Sequence, residues 1–277
     1  MVLKRLKNKV LGAFKLLLLL AVLPAPIHAK TLVLVHGFLA DDMSWRLSGF
    51  TQPLQISGWK DGGSYGFNPQ GMLIPRGIGL AGDVFYTVNL PSLSNLEIQE
   101  RVLSQYLQHL YSQRNEPITL VGHSAGGVVA RLYVLDPRRL PVNGLITIAS
   151  PHLGTPTANV ALVAGNSPIG MMASIVGEDA LQDARGLFSD LKEEKPYNFL
   201  YWMNHQPHPN IHYASIIREN SSITKPSKLD YIVPPMSQDM NNIWALRHRS
   251  GVALSKENHS LNGKDGLIVL SVLKHIQ

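Results

Sequence analysis

One stretch of the chain, Ile118 to Leu132, constrains the fold more than any other. An apolar, β-branched run breaks at Gly122, Ser124 follows, and the chain continues through Gly126 into an apolar helical pattern. This order predicts a strand, a tight turn and a helix, with the serine at the apex of a Gly-x-Ser-x-Gly turn. Glycine has no Cβ, so Gly122 and Gly126 let the backbone bend sharply enough to hold a strained serine toward solvent. Ser124 is therefore the candidate nucleophile.

The first 29 residues have the composition of a signal peptide. Five Lys and Arg residues flank or enter the apolar run Leu16 to Leu23, and two prolines follow before Ala29. This apolar core is short for a bilayer-spanning helix, which favours cleavage after Ala29. We therefore expect export to the periplasm or the medium, and the alternative is an uncleaved N-terminal membrane anchor.

Residues 30–277 are expected to form one domain. Without the leader, 20 Lys and Arg residues stand against 19 Asp and Glu, and no basic stripe with interleaved aromatics is present. A nucleic-acid partner is therefore not expected. The chain contains no cysteine, so thiol catalysis is excluded and an exported protein must rely on an extensive core instead of disulfides.

The apolar runs predict an α/β fold with a mostly parallel sheet covered by helices on both faces. Near-continuous apolar runs are typical of strands buried on both faces. The predicted strands besides Ile118–Val121 are Thr31–Phe38, Val84–Leu90, Gly144–Ala149, Ile211–Ile217 and the short Val252–Ser255. The predicted helices are one within Met43–Trp59, one that begins at a capping box Ser94–Glu97, and a closing helix at Leu261–Ile276.

Two segments interrupt this pattern. Residues 61–82 contain seven glycines and two prolines without a helical or strand period, which predicts a long loop. Residues 157–205 read as a helical insertion that resembles a lid, with an unusually apolar segment from Ile169 to Val176. That segment is either a mobile cover over the active site or an ordinary packed helix, and the sequence supports both interpretations equally.

A serine hydroxyl is a poor nucleophile and needs a base to take its proton. In hydrolases with such a nucleophile turn, an acid follows the serine along the chain and a histidine follows the acid. Among the 11 histidines, His259 follows a short strand and precedes the last helix, which makes it the best-placed general base. His123 adjoins the serine on a tight turn, where an adjacent side chain points elsewhere, and is interpreted as a packing or shaping residue. Asp230 is the candidate acid and Asp239 the runner-up, because both lie between the Ile211–Ile217 strand and His259.

An acyl-transfer site also needs two backbone N–H donors for the developing oxyanion. Ala125 supplies one by its position after the nucleophile. Phe38, just past His36-Gly37 at the end of the first buried strand, is the natural second donor.

Five segments resemble the lipase-like α/β-hydrolases of bacteria. They are HGF at 36–38, GHSAGG at 122–127, ASPHLGTP at 149–156, LDYIVPP at 229–235 and NHSLNG at 258–263. The resemblance implies an α/β-hydrolase fold, a triad of Ser124, Asp230 and His259, and oxyanion donors at Phe38 and Ala125. Tyr231 departs from the pattern, in which a glycine commonly follows the acid, and residues 61–82 have no counterpart. Some relatives bind structural calcium, but no carboxylate cluster matches such a site, so neither a metal nor a cofactor is expected.

The resemblance implies an exported serine esterase or lipase that hydrolyses carboxylic esters through an acyl-enzyme. The apolar insertion favours a lipid or acyl-ester substrate and a transient contact with a lipid interface. A thioesterase, a polyester hydrolase or a lipid-anchor deacylase would use the same triad. A non-catalytic binding protein on this fold is the alternative from another class.

Overall fold

The computed structural model describes residues 30–156, 158, 178–219 and 232–276. The leader, the apolar segment at 169–176 and the candidate acid Asp230 therefore lie outside the described residues. No helix within the described ranges is both long enough and apolar enough to cross a membrane.

Eight strands form one sheet in the order β3-β2-β4-β1-β5-β6-β7-β8. Every neighbouring pair is parallel except β2 and β3, which are antiparallel. The strands are β1 (Thr31–Val35), β2 (Lys60–Asn68), β3 (Gly71–Leu73), β4 (Val84–Val88), β5 (Ile118–His123), β6 (Val142–Ile148), β7 (His212–Arg218) and β8 (Ser250–Ser255). The predicted mostly parallel sheet is thus confirmed.

Helices cover both faces of the sheet, as predicted. They are α1 (Ser44–Leu47), α2 (Thr51–Ile56), α3 (Leu96–Arg114), α4 (Ala125–Leu135), α5 (Glu178–Asp183), α6 (Arg185–Asp190), α7 (Phe199–His205), α8 (Pro235–Gln238) and α9 (Gly263–Leu273). One hydrophobic cluster joins the sheet to α3, α4, α6 and α7. A second cluster joins the opposite face to α1, α2 and α9. This double burial explains why all five residues of β1, which lies between β4 and β5, are buried.

The prediction of a long loop at residues 61–82 was wrong for its first half. β2 continues the parallel sheet beside β4 and then pairs with β3 as a hairpin. A Cβ at Gly62 would lie 2.2 Å from Cε1 of Tyr86, so only glycine fits beneath that ring. The register between β2 and β4 also shifts between Asp61 and Ser64. The glycine and the bulge remove the alternation of apolar side chains by which a strand is recognised in sequence.

Helix boundaries differ from the predictions where polar residues compete for the cap. Asn95, not Ser94, caps α3, and its side chain accepts a hydrogen bond from the Ile98 N–H at 2.9 Å. The two-sided capping box of this fold is found at α9, between Asn262 and Asp265. The single predicted helix within Met43–Trp59 is instead two short helices, α1 and α2.

Buried histidines make the stability of this core sensitive to acid. Burial lowers the pKa of His36, places that of His152 well below its ordinary value, and lowers that of His208 to about 3. The unfolded chain, with histidine pKa values of about 6.5, therefore binds these protons first as the pH falls. The stabilisation is complete above about pH 6.5 and is lost progressively between about pH 6.5 and 3.

We expect the free energy of unfolding of the wild-type protein to decrease from pH 7 to pH 5. We also expect this decrease to be smaller in His208→Gln, by roughly 1–2 kcal/mol. The substitution removes a histidine whose pKa is lower in the folded protein than in the unfolded chain. The matched control is His212→Gln, which changes an exposed histidine. Urea titrations at both pH values measure the difference. Equal pH dependence in His208→Gln and wild type would contradict the depressed pKa.

Candidate active site

Ser124 lies at the sharp turn between β5 and α4. Its backbone has φ of 52° and ψ of −129°, a left-handed φ that is strained for a residue with a side chain. The Ser124 N–H donates to Ile148 O at 2.9 Å, which fastens the turn to the end of β6. The turn therefore holds the serine at the carboxyl edge of the sheet.

The two glycines of the turn are required by close backbone contacts. A Cβ at Gly126 would lie 2.1 Å from the carbonyl oxygen of His36, and a Cβ at Gly122 would lie 2.3 Å from Cα of Gly127. Any side chain at either position would overlap backbone atoms that cannot rotate away. Gly126 thus lets the start of α4 lie directly against the segment that follows β1.

The His259 ring lies within hydrogen-bond distance of the serine. Its Nε2 is 3.0 Å from Ser124 Oγ, although 135 residues separate the two along the chain. His259 belongs to the loop between the end of β8 and the beginning of α9, at the same carboxyl edge of the sheet. The Ser124 hydroxyl can donate to Nε2 when the His259 proton sits on Nδ1.

Desolvation keeps His259 neutral and thus able to accept a proton. Burial, followed by the neighbouring His123 and Arg218, lowers the pKa of His259 to about 3. A neutral imidazole presents one unprotonated nitrogen, which a general base requires. The geometry and the charge state at neutral pH both fit proton removal from Ser124.

Two of the described acids, Asp239 and Asp265, have hydrogen-bond partners other than His259. Asp239, the runner-up in the sequence analysis, accepts a hydrogen bond from the Asn241 N–H at 2.9 Å. Asp265 forms a buried two-point ion pair with Arg218, with N–O distances of 2.6 and 2.8 Å. Within residues 232–276 and the other described ranges, no carboxylate hydrogen-bonds to the His259 ring. Asp230, the first choice, lies outside those ranges.

Of the two candidate oxyanion donors, Ala125 adjoins Ser124 in the chain, and Phe38 follows a residue that lies against Ser124 in space. Ala125 N is the first amide of α4, and Phe38 N follows Gly37, where a Cβ would lie 2.9 Å from Ser124 Cβ. Neither amide N–H has a hydrogen-bond partner in the part of the chain that the structure describes. Both are therefore available to a substrate oxygen.

His36 fixes the peptide that carries the Phe38 donor, a role that the sequence analysis did not assign. Its Nε2 accepts from the Leu90 N–H at 2.9 Å, and its Nδ1–H donates to Gly37 O at 3.0 Å. Burial lowers the pKa of this imidazole, which favours the neutral form that these two bonds require. In a trans peptide the C=O and N–H point in opposite directions, so the Phe38 N–H points away from His36. His36 is wholly buried at the end of β1. The sequence does not show this burial, so it gave no reason to assign His36 a role.

The described part of the insertion contacts Gly37–Phe38, the segment that carries one candidate oxyanion donor and is here named the oxyanion segment. Phe188 of α6 packs edge-on against the Phe38 ring, with 5.1 Å between ring centroids. The same helix ends at Asp190, whose carboxylate accepts from the Leu96 N–H at 2.9 Å and so joins the insertion to α3. Insertion and oxyanion segment therefore share a packed contact.

No group of three or more metal-binding side chains occurs within the described residues.

Comparisons with known proteins agree with the fold. Residues 94–163, which include the serine turn, match the family model of the PGAP1-like alpha/beta domain. A 62-residue stretch is 42% identical to the GPI inositol-deacylase of Kluyveromyces lactis. This stretch is 20% of the present chain and only 6% of the length of that relative.

Solved structures match over almost the whole chain. The lin2722 gene product of Listeria innocua aligns with a TM-score of 0.63 at 14% identity, over 90% of this chain and 95% of its own. The mature lipase BlEst2 of Bacillus licheniformis aligns with a TM-score of 0.63 at 16% identity, over 92% and 94%. The metagenomic carboxyl esterase MGS0156 aligns with a TM-score of 0.54 at 12% identity, over 92% and 77%.

The chain thus has the fold of the α/β-hydrolase superfamily, with lipases and esterases among its structural neighbours and a stretch around Ser124 that is similar to the PGAP1-like alpha/beta domain.

Proposed function

We propose that the protein is an exported serine hydrolase of carboxylic esters, a lipase or esterase that acts through an acyl-enzyme. The observation that carries the proposal is the 3.0 Å contact between Ser124 Oγ and His259 Nε2 on a strained turn. The free N–H groups of Phe38 and Ala125 support it, because acyl transfer needs donors for a developing negative charge.

Acylation begins when Ser124 Oγ attacks the ester carbonyl carbon and its proton passes to His259 Nε2. The carbonyl oxygen becomes an oxyanion, which accepts hydrogen bonds from Phe38 N and Ala125 N. When the tetrahedral intermediate collapses, the carbon–oxygen bond to the leaving alcohol breaks and His259 returns its proton to that alcohol. The acyl group then remains on Ser124.

Deacylation repeats these steps with water as the nucleophile. His259 Nε2 takes a proton from water, the resulting hydroxide attacks the acyl carbonyl, and His259 returns the proton to Ser124 Oγ as the acid product leaves. Asp230 is the residue that we assign to hold the Nδ1–H tautomer of His259. This assignment rests on the order of the residues in the chain, because Asp239 and Asp265 both have other partners.

Lipid acyl esters are the substrate class that we favour. The insertion at 157–205 is rich in apolar residues, and Phe188 within it packs on the oxyanion segment. Contact with a lipid interface would bring such a substrate to the site. A lipid-anchor deacylase is the second candidate, and it is favoured by the similarity of one stretch to a GPI inositol-deacylase. A thioester or polyester substrate would use the same triad, and a binding protein would have an inert Ser124.

Export would follow from residues 1–29, with cleavage after Ala29. An uncleaved anchor would leave the same catalytic domain at the membrane. N-terminal sequencing of the protein recovered from cell fractions separates these two cases.

The first prediction concerns the nucleophile. Wild-type protein should hydrolyse p-nitrophenyl acyl esters and react with a fluorophosphonate probe, and Ser124→Ala should lower kcat/KM by about 10⁴-fold or more while abolishing labelling. Ser94→Ala is the matched control, since this serine lies outside the site. Absence of both hydrolysis and labelling in the folded wild type would favour a binding protein.

The second prediction separates the two candidate acids. Asp230→Asn should lower kcat roughly 10³–10⁴-fold, because an amide cannot hold the imidazole tautomer and stabilise its cation. Asp239→Asn should leave kcat near the wild-type value, because that carboxylate caps the turn at Asn241. Steady-state kinetics on one soluble ester measures both. The reverse order of effects would move the assignment to Asp239.

The third prediction concerns the insertion. If it opens at a lipid interface, the rate should rise more steeply above the solubility limit of a long-chain ester than below it. A short-chain ester that stays soluble over the whole range is the control. A rate curve without a break at the solubility limit would identify the insertion as fixed structure, and a preference for long over short chains would support a deep acyl pocket.

A further inference from the structure

The loop that carries His259 has no regular structure of its own. It joins β8, which ends at Ser255, to α9, which begins at Gly263. Loop backbone groups have no ladder or helix partners, so their position depends on side chains from elsewhere. A general base must nevertheless stay within a fraction of an ångström of its working position.

Three backbone groups of this loop, between His259 and Asn262, are bound by side chains. His123 Nε2 is 2.8 Å from His259 O, and Arg218 Nη2 is 3.3 Å from Ser260 O. The Asn262 N–H donates to Asp265 Oδ2 at 3.0 Å. We name this set of three side chains, His123, Arg218 and Asp265, the loop clamp.

Two members of the loop clamp are themselves fixed. Arg218, at the end of β7, and Asp265, in the first turn of α9, form a buried ion pair with N–O distances of 2.6 and 2.8 Å. Their pairing joins the end of β7 to the first turn of α9. Removing Arg218 would leave the buried carboxylate of Asp265 without its ion-pair partner, which destabilises proteins strongly.

His123 is the member that links the base to the nucleophile. It is the last residue of β5 and adjoins Ser124, and its ring lies 5.3 Å from the His259 ring. Its other neighbour is Trp45, edge-on at 6.5 Å. A carbonyl oxygen only accepts, so the His123 proton must lie on Nε2. Burial lowers the pKa of His123 to about 4, which keeps the ring neutral.

We propose that His123 is a positioning residue for the general base: through its bond to His259 O it ties the base to the strand that carries the nucleophile. This proposal rests on the proposed ester hydrolysis by Ser124 and His259. The bond joins the residue before Ser124 to the carbonyl group of His259 itself. A movement of either Ser124 or His259 along this bond would therefore also shift the backbone of the other residue. The 3.0 Å separation of Ser124 Oγ and His259 Nε2 is therefore maintained by a bond that does not involve either of these two atoms.

The test compares three substitutions that differ in their ability to reach His259 O. His123→Gln places an amide N–H near the position of Nε2 and should retain most of kcat. His123→Asn has a shorter side chain that cannot reach, and His123→Phe fills the volume without a donor. Both should lower kcat by about 10–100-fold, the range expected for sub-ångström to ångström misplacement, with KM changed by less than about threefold. His208→Gln is the control for the loss of a buried histidine and should leave kcat unchanged.

The same substitutions in a His259→Ala background separate positioning from a general structural effect. If His123 acts through His259, then His123→Asn and His123→Phe should cause no further loss once His259 is absent. Thermal unfolding of each variant shows that it is folded. If His123→Phe does not fold, the comparison of Gln with Asn, which are matched in polarity, still decides.

Several results would overturn the proposal. They are wild-type kcat in His123→Asn, an equal loss in Gln and Asn, a change in KM alone, or a full further loss in the His259→Ala background. Each of these is distinguishable from failure of the proposed function, in which the folded wild type itself neither hydrolyses esters nor reacts with a fluorophosphonate. That last result would remove both proposals together.

Discussion

The structure depends on one close approach of two backbone segments at the carboxyl edge of the sheet. The start of α4 lies so near the end of β1 that a Cβ at Gly126 would meet the carbonyl oxygen of His36 at 2.1 Å. This approach brings Gly37, the residue before Phe38, close to Ser124 and to the Ala125 amide: a Cβ at Gly37 would lie 2.9 Å from Ser124 Cβ and 3.5 Å from Ala125 N. Because β1 and β5 are adjacent parallel strands, the segments that follow them come close together. Gly126 permits this contact because it has no side chain that would overlap the His36 carbonyl. The candidate nucleophile and both candidate oxyanion donors thus lie where β1 and β5, two buried central strands, end.

The candidate general base is held by a different kind of structure. His259 lies on an irregular loop, and the sheet determines only where that loop begins and ends. Polar side chains from β5, β7 and α9 fix its backbone between those points. The candidate site therefore combines a serine that is held by backbone packing with a histidine that is held by hydrogen bonds. Hydrogen bonds depend on charge and tautomer, so this half of the site is the more sensitive to substitution and to pH.

How much of this could be predicted from the sequence depends on the range of the interactions. The strands and the turn at Ser124 were predictable because an apolar run and a Gly-x-Ser-x-Gly turn are local patterns. His259 was the predicted base from its position between the last strand and the last helix. β2 was not predicted because Gly62 takes the place of an apolar residue beneath Tyr86, a neighbour 24 residues away. Asp265 and His36 could not be assigned because their partners, Arg218 and Leu90, lie 47 and 54 residues away along the chain.

Burial of the histidines has opposite consequences for chemistry and for stability. Removing water from around His259 and Ser124 strengthens the hydrogen bond between them and lowers the pKa of the imidazole, so the base is unprotonated at neutral pH. The same desolvation acts on His36, which orients the peptide of the Phe38 donor, and on His123, which holds the base loop. Protonation of any of the three would disrupt a bond that the site requires. Because the unfolded chain binds those protons more readily, acid shifts the equilibrium toward unfolding before it titrates the site itself. The acid limit of such a protein is therefore set by the stability of its fold as well as by the ionisation of its general base.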